Sequence, residues 1–257
     1  MWGFFVMFCK RALFFVIFFL SGCKSFVIPN EFVYKEIQTT TFRLASWQKI
    51  TNPNGKFKVY IEGDGASFDA YGRATDNPTP RGTLLREIAF GDNSPNVIYL
   101  ARPCQFVDDD MCRQRHWTVA RFAPEVINAS FEAVKNCVGE NEVVLVGFSG
   151  GAQVAGLISV AKKGLNVKRL ISIGGNLDHL AWTEYYKLPS LVESLNLADY
   201  RDEYLSISQI NYVGEDDDVV APEIIFKFLD DDELVKVIKG ATHNSGFEYI
   251  YPLIWME

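Results

Sequence analysis

Histidine is scarce in this chain: of its 257 residues, only His116, His179 and His243 carry an imidazole. None stands at metal-ligand spacing from a cysteine or from another histidine, so no zinc site is expected. The acid run in "GEDDDVVAP" (residues 214–222) lacks the alternating aspartates and the glycine of a calcium loop, and no metal is expected there either. Positive charge is also in deficit. Lysines and arginines number 25 against 32 aspartates and glutamates, a net charge of −7. A phosphate-tracking face needs the opposite balance, so nucleic acid is excluded as an expected partner. Neither G-x-G-x-x-G nor G-x-x-x-x-G-K-[ST] occurs at a strand-to-helix junction, which argues against a nucleotide, and no cofactor is expected. No period of 20 to 50 residues recurs, so repeat architectures are set aside. No Pro/Gly/Ser-rich linker interrupts the body, which reads as one domain.

What the chain does contain is a regular alternation of short apolar runs with helical patterns. "TFRLASWQKI" (41–50) and "KFKVYIEG" (56–63) read as strands joined through a hairpin turn, "TNPNG". "PRGTLLREIAF" reads as a helix, "NVIYLA" as a strand, and "PEVINASFEAVKNCV" as a helix that opens on proline, as first turns tolerate. The strands "EVVLVGF", "RLISIGG", "QINYVG" and "LVKVIKG" then alternate with the helices "GAQVAGLISVAKK" and "PEIIFKFL". This order predicts an α/β domain over residues 41–257: a mostly parallel sheet, helices on both faces, and an antiparallel hairpin at the N-terminal edge. One connection, 176–208, is too long for an ordinary loop and is rich in aromatics. It suits a small helical cap over a site, and equally a surface excursion.

The N-terminus stands apart. In "MWGFFVMFCKRALFFVIFFLSGCKS", Lys10 and Arg11 precede an apolar run, Ala12 to Leu20, that is too short and too early for a comfortable membrane span. The run closes in Leu20-Ser21-Gly22-Cys23, which resembles the lipobox of bacterial lipoproteins. The resemblance implies a signal peptide over residues 1–22, cleavage before Cys23, lipidation of that cysteine and a tether over residues 23–40. An uncleaved anchor is the alternative, and Met7 is a second candidate start. The implied partner is a membrane, held through the lipid anchor. Lys24, a residue other than aspartate after the cysteine, favours the periplasmic face of the outer membrane. Export also changes how the remaining cysteines read. Cys104 and Cys112 enclose seven residues in "CQFVDDDMC" and are expected to form a disulfide, with Cys137 as a buried or spare thiol.

The stretch that carries chemistry is "VVLVGFSGGAQVA" (143–155), where a strand runs into a helix through Gly147-Phe148-Ser149-Gly150-Gly151. A turn this sharp lifts the serine hydroxyl above the sheet and leaves room only for glycine two positions to either side. The stretch resembles the nucleophile elbow of the α/β-hydrolase superfamily. That resemblance implies an α/β-hydrolase fold, Ser149 as nucleophile, and an acid and a histidine following in that chain order. His243, in the loop after the last strand, is the implied base. "INYVGEDDDVVAP" is similar to the superfamily's acid-bearing turn and places Asp217 as the acid, with Ala221 as an extra residue before Pro222. Asp216, Asp218 and Asp178 stay open as substitutes. For the oxyanion, the Gly150 amide is one expected donor, and the Asp64 amide in "YIEGDGASF" is the candidate second. Glu62 stands where a histidine is frequent, so its carboxylate is expected to point away and to hold the loop.

Further stretches resemble one group of bacterial lipoprotein α/β hydrolases across roughly residues 58 to 245. They are "YIEGDG", "DNPTPRG", "YLARPCQF", "WTVARFAPEVI", "GNLDHLAWT" and "SLN". Arg102, Cys104, Trp117 and Asp178 fall within them and either line or support the site. The expected activity is serine-dependent cleavage of an ester or related acyl bond in a small molecule, with lipase, peptidase and thioesterase chemistry open. The alternative is a lapsed hydrolase fold that binds or scaffolds.

Overall fold

The computed structural model describes residues 26–257; the segment 1–22, expected to be a signal peptide, and Cys23 lie outside the described residues. In chain order the elements are β1 (Val33–Gln38), β2 (Arg43–Ile50), β3 (Phe57–Ile61), α1 (Leu84–Gly91), β4 (Asn96–Leu100), α2 (Pro124–Val138), β5 (Glu142–Phe148), α3 (Gly150–Val160), β6 (Asn166–Ile173), α4 (His179–Tyr186), α5 (Arg201–Leu205), β7 (Gln209–Gly214), α6 (Pro222–Leu229), β8 (Val235–Ile238) and α7 (Tyr251–Met256). All eight strands form one sheet in the order β1-β2-β4-β3-β5-β6-β7-β8. From β4 onward every neighbouring pair is parallel, while β1–β2 and β2–β4 are antiparallel.

Two expectations are corrected here. The N-terminal hairpin exists, but it joins β1 to β2; β2 and β3 are separated by β4. "TNPNG" does turn, with the Gly55 amide donating to the Asn52 carbonyl at 2.9 Å. The strands on either side of it nonetheless do not pair. All five residues of β3 and of β4 are buried, and the β3–α1–β4 crossover lays these two strands side by side in parallel, which no tight turn could do. Residues Val33–Gln38, within the segment read as a tether, belong to the sheet as its edge strand, exposed along most of their length.

Each face of the sheet is covered, and the pleat sorts the side chains. Along β5, Val143 and Leu145 face a core built with α2, α3 and α6, while Val144, Val146 and Phe148 face a second core built with α1 and α7. A strand buried on both sides must be apolar throughout, which is why "VVLV" shows no alternation. Lys58 is a charged exception. Buried in β3, its Nζ donates to the carbonyls of Ile254 and Trp255 at 2.8 and 2.9 Å and pairs with Asp92 at 3.1 Å, fixing the end of α7.

The topology also marks the site. After β3 the chain moves to one side to build β4, then crosses back to place β5 on the other side of β3. The C-terminal ends of β3 and β5 therefore flank a switch point, where open α/β sheets bind ligands. The loop after β4 is clamped by a disulfide between Cys104 and Cys112. Replacing both cysteines by serine is expected to cost about 2–3 kcal/mol of stability, from the closed loop's lost chain constraint. Urea unfolding under non-reducing conditions measures it.

Candidate active site

Ser149 sits between β5 and α3 at φ 52°, ψ −124°, a conformation that a side chain rarely adopts. The surrounding backbone holds it there. Its amide donates to the Ile173 carbonyl at 3.0 Å, and its carbonyl accepts from Ala152 and Asn176, both at 3.1 Å. The flanking glycines are required by contact. A Cβ on Gly147 would lie 2.3 Å from the Ala152 Cα, and one on Gly151 would lie 2.2 Å from the Ile61 carbonyl oxygen. Because Ile61 is fixed in the sheet, Gly151→Ala is expected to lower stability by about 1–3 kcal/mol or more and to shift the melting temperature down.

Three loops converge on the hydroxyl. Ser149 Oγ lies 3.0 Å from His243 Nε2, and His243 Nδ1 lies 2.8 Å from Asp217 Oδ2. Asp217 and His243 are only 4% and 6% exposed. The other carboxylate oxygen of Asp217 accepts from the amides of Val219 and Val220, at 2.9 and 2.8 Å. A turn folded back on its own aspartate thus aims the second oxygen at the imidazole. This puts the proton on Nδ1 and leaves the Nε2 lone pair facing the serine. Among the acids left open, Asp217 alone touches His243. Asp178 is engaged elsewhere, as the N-cap of α4, accepting from Leu180 and Ala181.

No protein-family model and no curated protein matches the chain. Solved structures do. The protein Est1E of Butyrivibrio proteoclasticus superposes with a TM-score of 0.59 at 14% identity, over 87% of this chain and 96% of its own. An esterase of Pyrococcus furiosus gives 0.55 at 17%, over 87% of each chain. A serine hydrolase without a lid from Xanthomonas campestris gives 0.52 at 13%, over 90% and 95%. The fold is that of the α/β hydrolases.

In this hydrolase fold the loop after β3 lies against the elbow. Gly63 packs so closely that a Cβ there would meet the Phe148 carbonyl and the Ser149 Cβ at 3.1 Å. Glu62 is buried and holds that loop, accepting from the Gly63 amide at 2.8 Å and from the Tyr99 hydroxyl at 2.5 Å. Burial pushes its carboxyl above the ordinary range, partly opposed by those two donors. With the Gly63 amide so occupied, the amides of Asp64 and Gly150 donate to no acceptor among the described residues. The Asp64 side chain reaches past Gly150 to Arg102, through Oδ1, and to Arg121, through Oδ2 at 2.6 Å. Burial raises its pKa, but Arg121 and Arg102 outweigh that, and the carboxyl is held below its usual value.

A cavity of about 920 Å³ opens on Ser149 and His243. Phe68, Leu85, Phe148, Trp182, Leu188 and Leu191 supply much of its wall. The long connection is therefore divided in use. Trp182 to Leu191 lines the cavity, while Leu197 packs over Gly156 of α3 and Tyr204 joins the core. Arg121, Asn176 and Trp182 also border the cavity, and the sequence reading singled out none of them. Their one signal is position: each falls in or beside a quoted stretch, "WTVARFAPEVI" or "GNLDHLAWT".

The two remaining histidines stand away from the triad. His116 is buried, and its Nδ1 accepts from the Arg113 amide at 3.2 Å. His179 is buried with its ring stacked on Phe122, and neither ring nitrogen has a hydrogen-bond partner. Burial lowers the pKa of both. A histidine kept neutral by folding contributes stability above its unfolded pKa, near 6.5, that is lost as pH falls below it. Each can cost up to about 1.4 kcal/mol per pH unit in that window. Replacing His179 by Phe is expected to flatten the decline in unfolding free energy between pH 7 and pH 5.

Proposed function

We propose that this chain is a lipid-anchored serine hydrolase that cleaves an ester or related acyl bond in a small molecule. The observation that carries the reading is the unbroken relay from Ser149 Oγ through His243 to Asp217, at 3.0 and 2.8 Å, opening on a cavity of about 920 Å³. Ser149 Oγ attacks the acyl carbon as its proton passes to His243 Nε2, while Asp217 steadies the imidazolium. The Gly150 and Asp64 amides take the charge that forms on the carbonyl oxygen, and the positive end of α3 adds to them. As the tetrahedral carbon collapses, the leaving oxygen takes the proton from His243. Water then repeats the sequence on the acyl-enzyme, its proton going to His243 and from there to Ser149 Oγ as the acid departs.

The names and descriptions of the superposable structures, an esterase and a serine hydrolase among them, support this chemistry at the level of the shared fold. The lipobox-like Leu20-Ser21-Gly22-Cys23 supports cleavage before Cys23 and attachment to the envelope, and Lys24 after it favours the periplasmic face of the outer membrane. An intact mass of the mature chain tests the lipidation. Full-length protein in detergent, assayed on neutral acyl esters of graded chain length, tests the chemistry. Turnover is expected for the parent chain. Ser149→Ala is expected to lower kcat by about 10⁴-fold or more with an unchanged melting temperature. Equal turnover in both would remove Ser149 from the reaction.

A further inference from the structure

The cavity holds more polar machinery than the relay consumes. Arg121 is 5% exposed and stands in the cavity wall, its guanidinium 5.5 Å from the ring of Phe68 and 5.9 Å from that of Trp182, both also in the wall. Its Nε donates to the Thr118 carbonyl at 2.7 Å and its Nη1 to Asp64 at 2.6 Å. Its Nη2 has no acceptor among the described residues. Arg102, by contrast, is spent on structure: one nitrogen binds Asp64, the other binds the Arg121 carbonyl, and the plane lies 4.9 Å over Phe122. One carboxylate, Asp64, therefore serves two buried guanidinium groups, and Nη2 of Arg121 is the arm it leaves free. The nearest other acid in this cluster, Glu62, is already bound to Tyr99 and Gly63.

A buried donor without an acceptor is costly, and a guanidinium fork is shaped to receive a carboxylate. A second group marks this wall as polar, but as an acceptor that calls for a donor on the substrate rather than for an anion. Asn176 is 5% exposed, borders the cavity beside Ser149, and its side-chain carbonyl is buried without a donor. A purely hydrocarbon substrate would leave Nη2 of Arg121 without an acceptor, in a wall that also carries Asp64, Thr118, Ser149 and His243.

We infer that Arg121 anchors an anionic group of the substrate, so that the cavity takes esters carrying a carboxylate besides the scissile bond. This rests on the serine-hydrolase reading for its chemistry, but recognition of the carboxylate does not require turnover. Arg121 is then a specificity-determining residue: Nη2 binds the substrate anion while Nη1 stays on Asp64, coupling recognition to the loop that offers the oxyanion amide. The carboxylate is carried either on the acyl part or on the alcohol part, and the test separates the two.

Binding is measured by calorimetry on full-length Ser149→Ala, which cannot turn the esters over. One arm uses mono-aryl esters of straight-chain dicarboxylic acids from four to eight carbons, against neutral acyl esters of equal length. The other uses acetyl esters of hydroxybenzoic acids against those of the corresponding benzamides. In one arm the carboxylate-bearing ester is expected to bind at least about tenfold more tightly, as a charge-assisted hydrogen bond provides. Adding Arg121→Gln is expected to erase the preference. Adding Arg121→Lys is expected to erase it as well, since a single ammonium can keep the pairing with Asp64, and with it the fold, but has no second arm for the cavity. Equal binding of charged and neutral esters in both arms overturns the inference, as does a preference that survives Arg121→Lys. Turnover of both the charged and the neutral esters by the parent chain is read separately. Its absence counts against the hydrolase and leaves the binding result standing.

Discussion

Asp217→Asn is expected to reduce kcat for ester hydrolysis by about 10⁴-fold while leaving the fold intact. The size follows from the turn that holds the side chain. One oxygen of Asp217 accepts from the amides of Val219 and Val220, and an asparagine in this place keeps its carbonyl on those two donors. Its NH₂ group then faces His243 Nδ1, which lies 2.8 Å away and must become an acceptor. The ring proton moves to Nε2, which confronts the Ser149 hydroxyl as a donor and cannot take its proton. The neighbours serve as controls: Asp216→Asn and Asp218→Asn, which leave the imidazole untouched, are expected to stay within about twofold of the parent. Steady-state kinetics on one ester, with melting temperatures for all three variants, checks the result. A Asp217→Asn chain losing less than tenfold would mean that another group orients His243.

The second large effect is on stability. Arg102→Met is expected to cost about 3–5 kcal/mol, because it breaks a buried ion pair and leaves the buried Arg121 carbonyl without its donor. Arg102 is 5% exposed, holds Asp64 and the Arg121 carbonyl, and so ties the loop after β3 to the segment before α2. Asp64 keeps its pairing with Arg121 in that variant, so adding Asp64→Asn to Arg102→Met is expected to deepen the loss by leaving Arg121 without its carboxylate. The pH dependence has a definite sign. Asp64 has a folded pKa below its ordinary value of 3.8, so its contribution is present above that value and is lost as pH falls through the folded one. Chemical unfolding of the single and double variants, at pH 7 and at pH 3, measures both. A loss under 1 kcal/mol for Arg102→Met would show that the loop is held by other contacts.

The parts of this site that could be read in advance share one property: each is encoded by a short continuous stretch. The elbow is local, because the strained serine needs glycine at 147 and 151 and both stand within two residues of it. The acid turn is local too, since Asp217 binds the amides two and three residues on. The extra Ala221 leaves that register undisturbed and stands as the N-cap of α6, just before Pro222. What was not legible is held through space. Arg121 and Asp64 meet across 57 residues of chain, and nothing in either stretch announces the other. The placement of β4 between β2 and β3 follows from a crossover rather than from the turn that joins them. An exposed edge strand such as β1, "VYKEIQ", buries too little to show an apolar pattern.

The central claim is that the hydroxyl of Ser149 is activated by His243. The most direct test is to expose folded full-length protein to a fluorophosphonate at neutral pH, then locate the adduct by peptide mass spectrometry. One adduct is predicted, on the peptide containing Ser149, formed rapidly in the parent chain and lost in His243→Ala. An unmodified Ser149, or an equal rate of modification in the His243→Ala chain, would contradict the account.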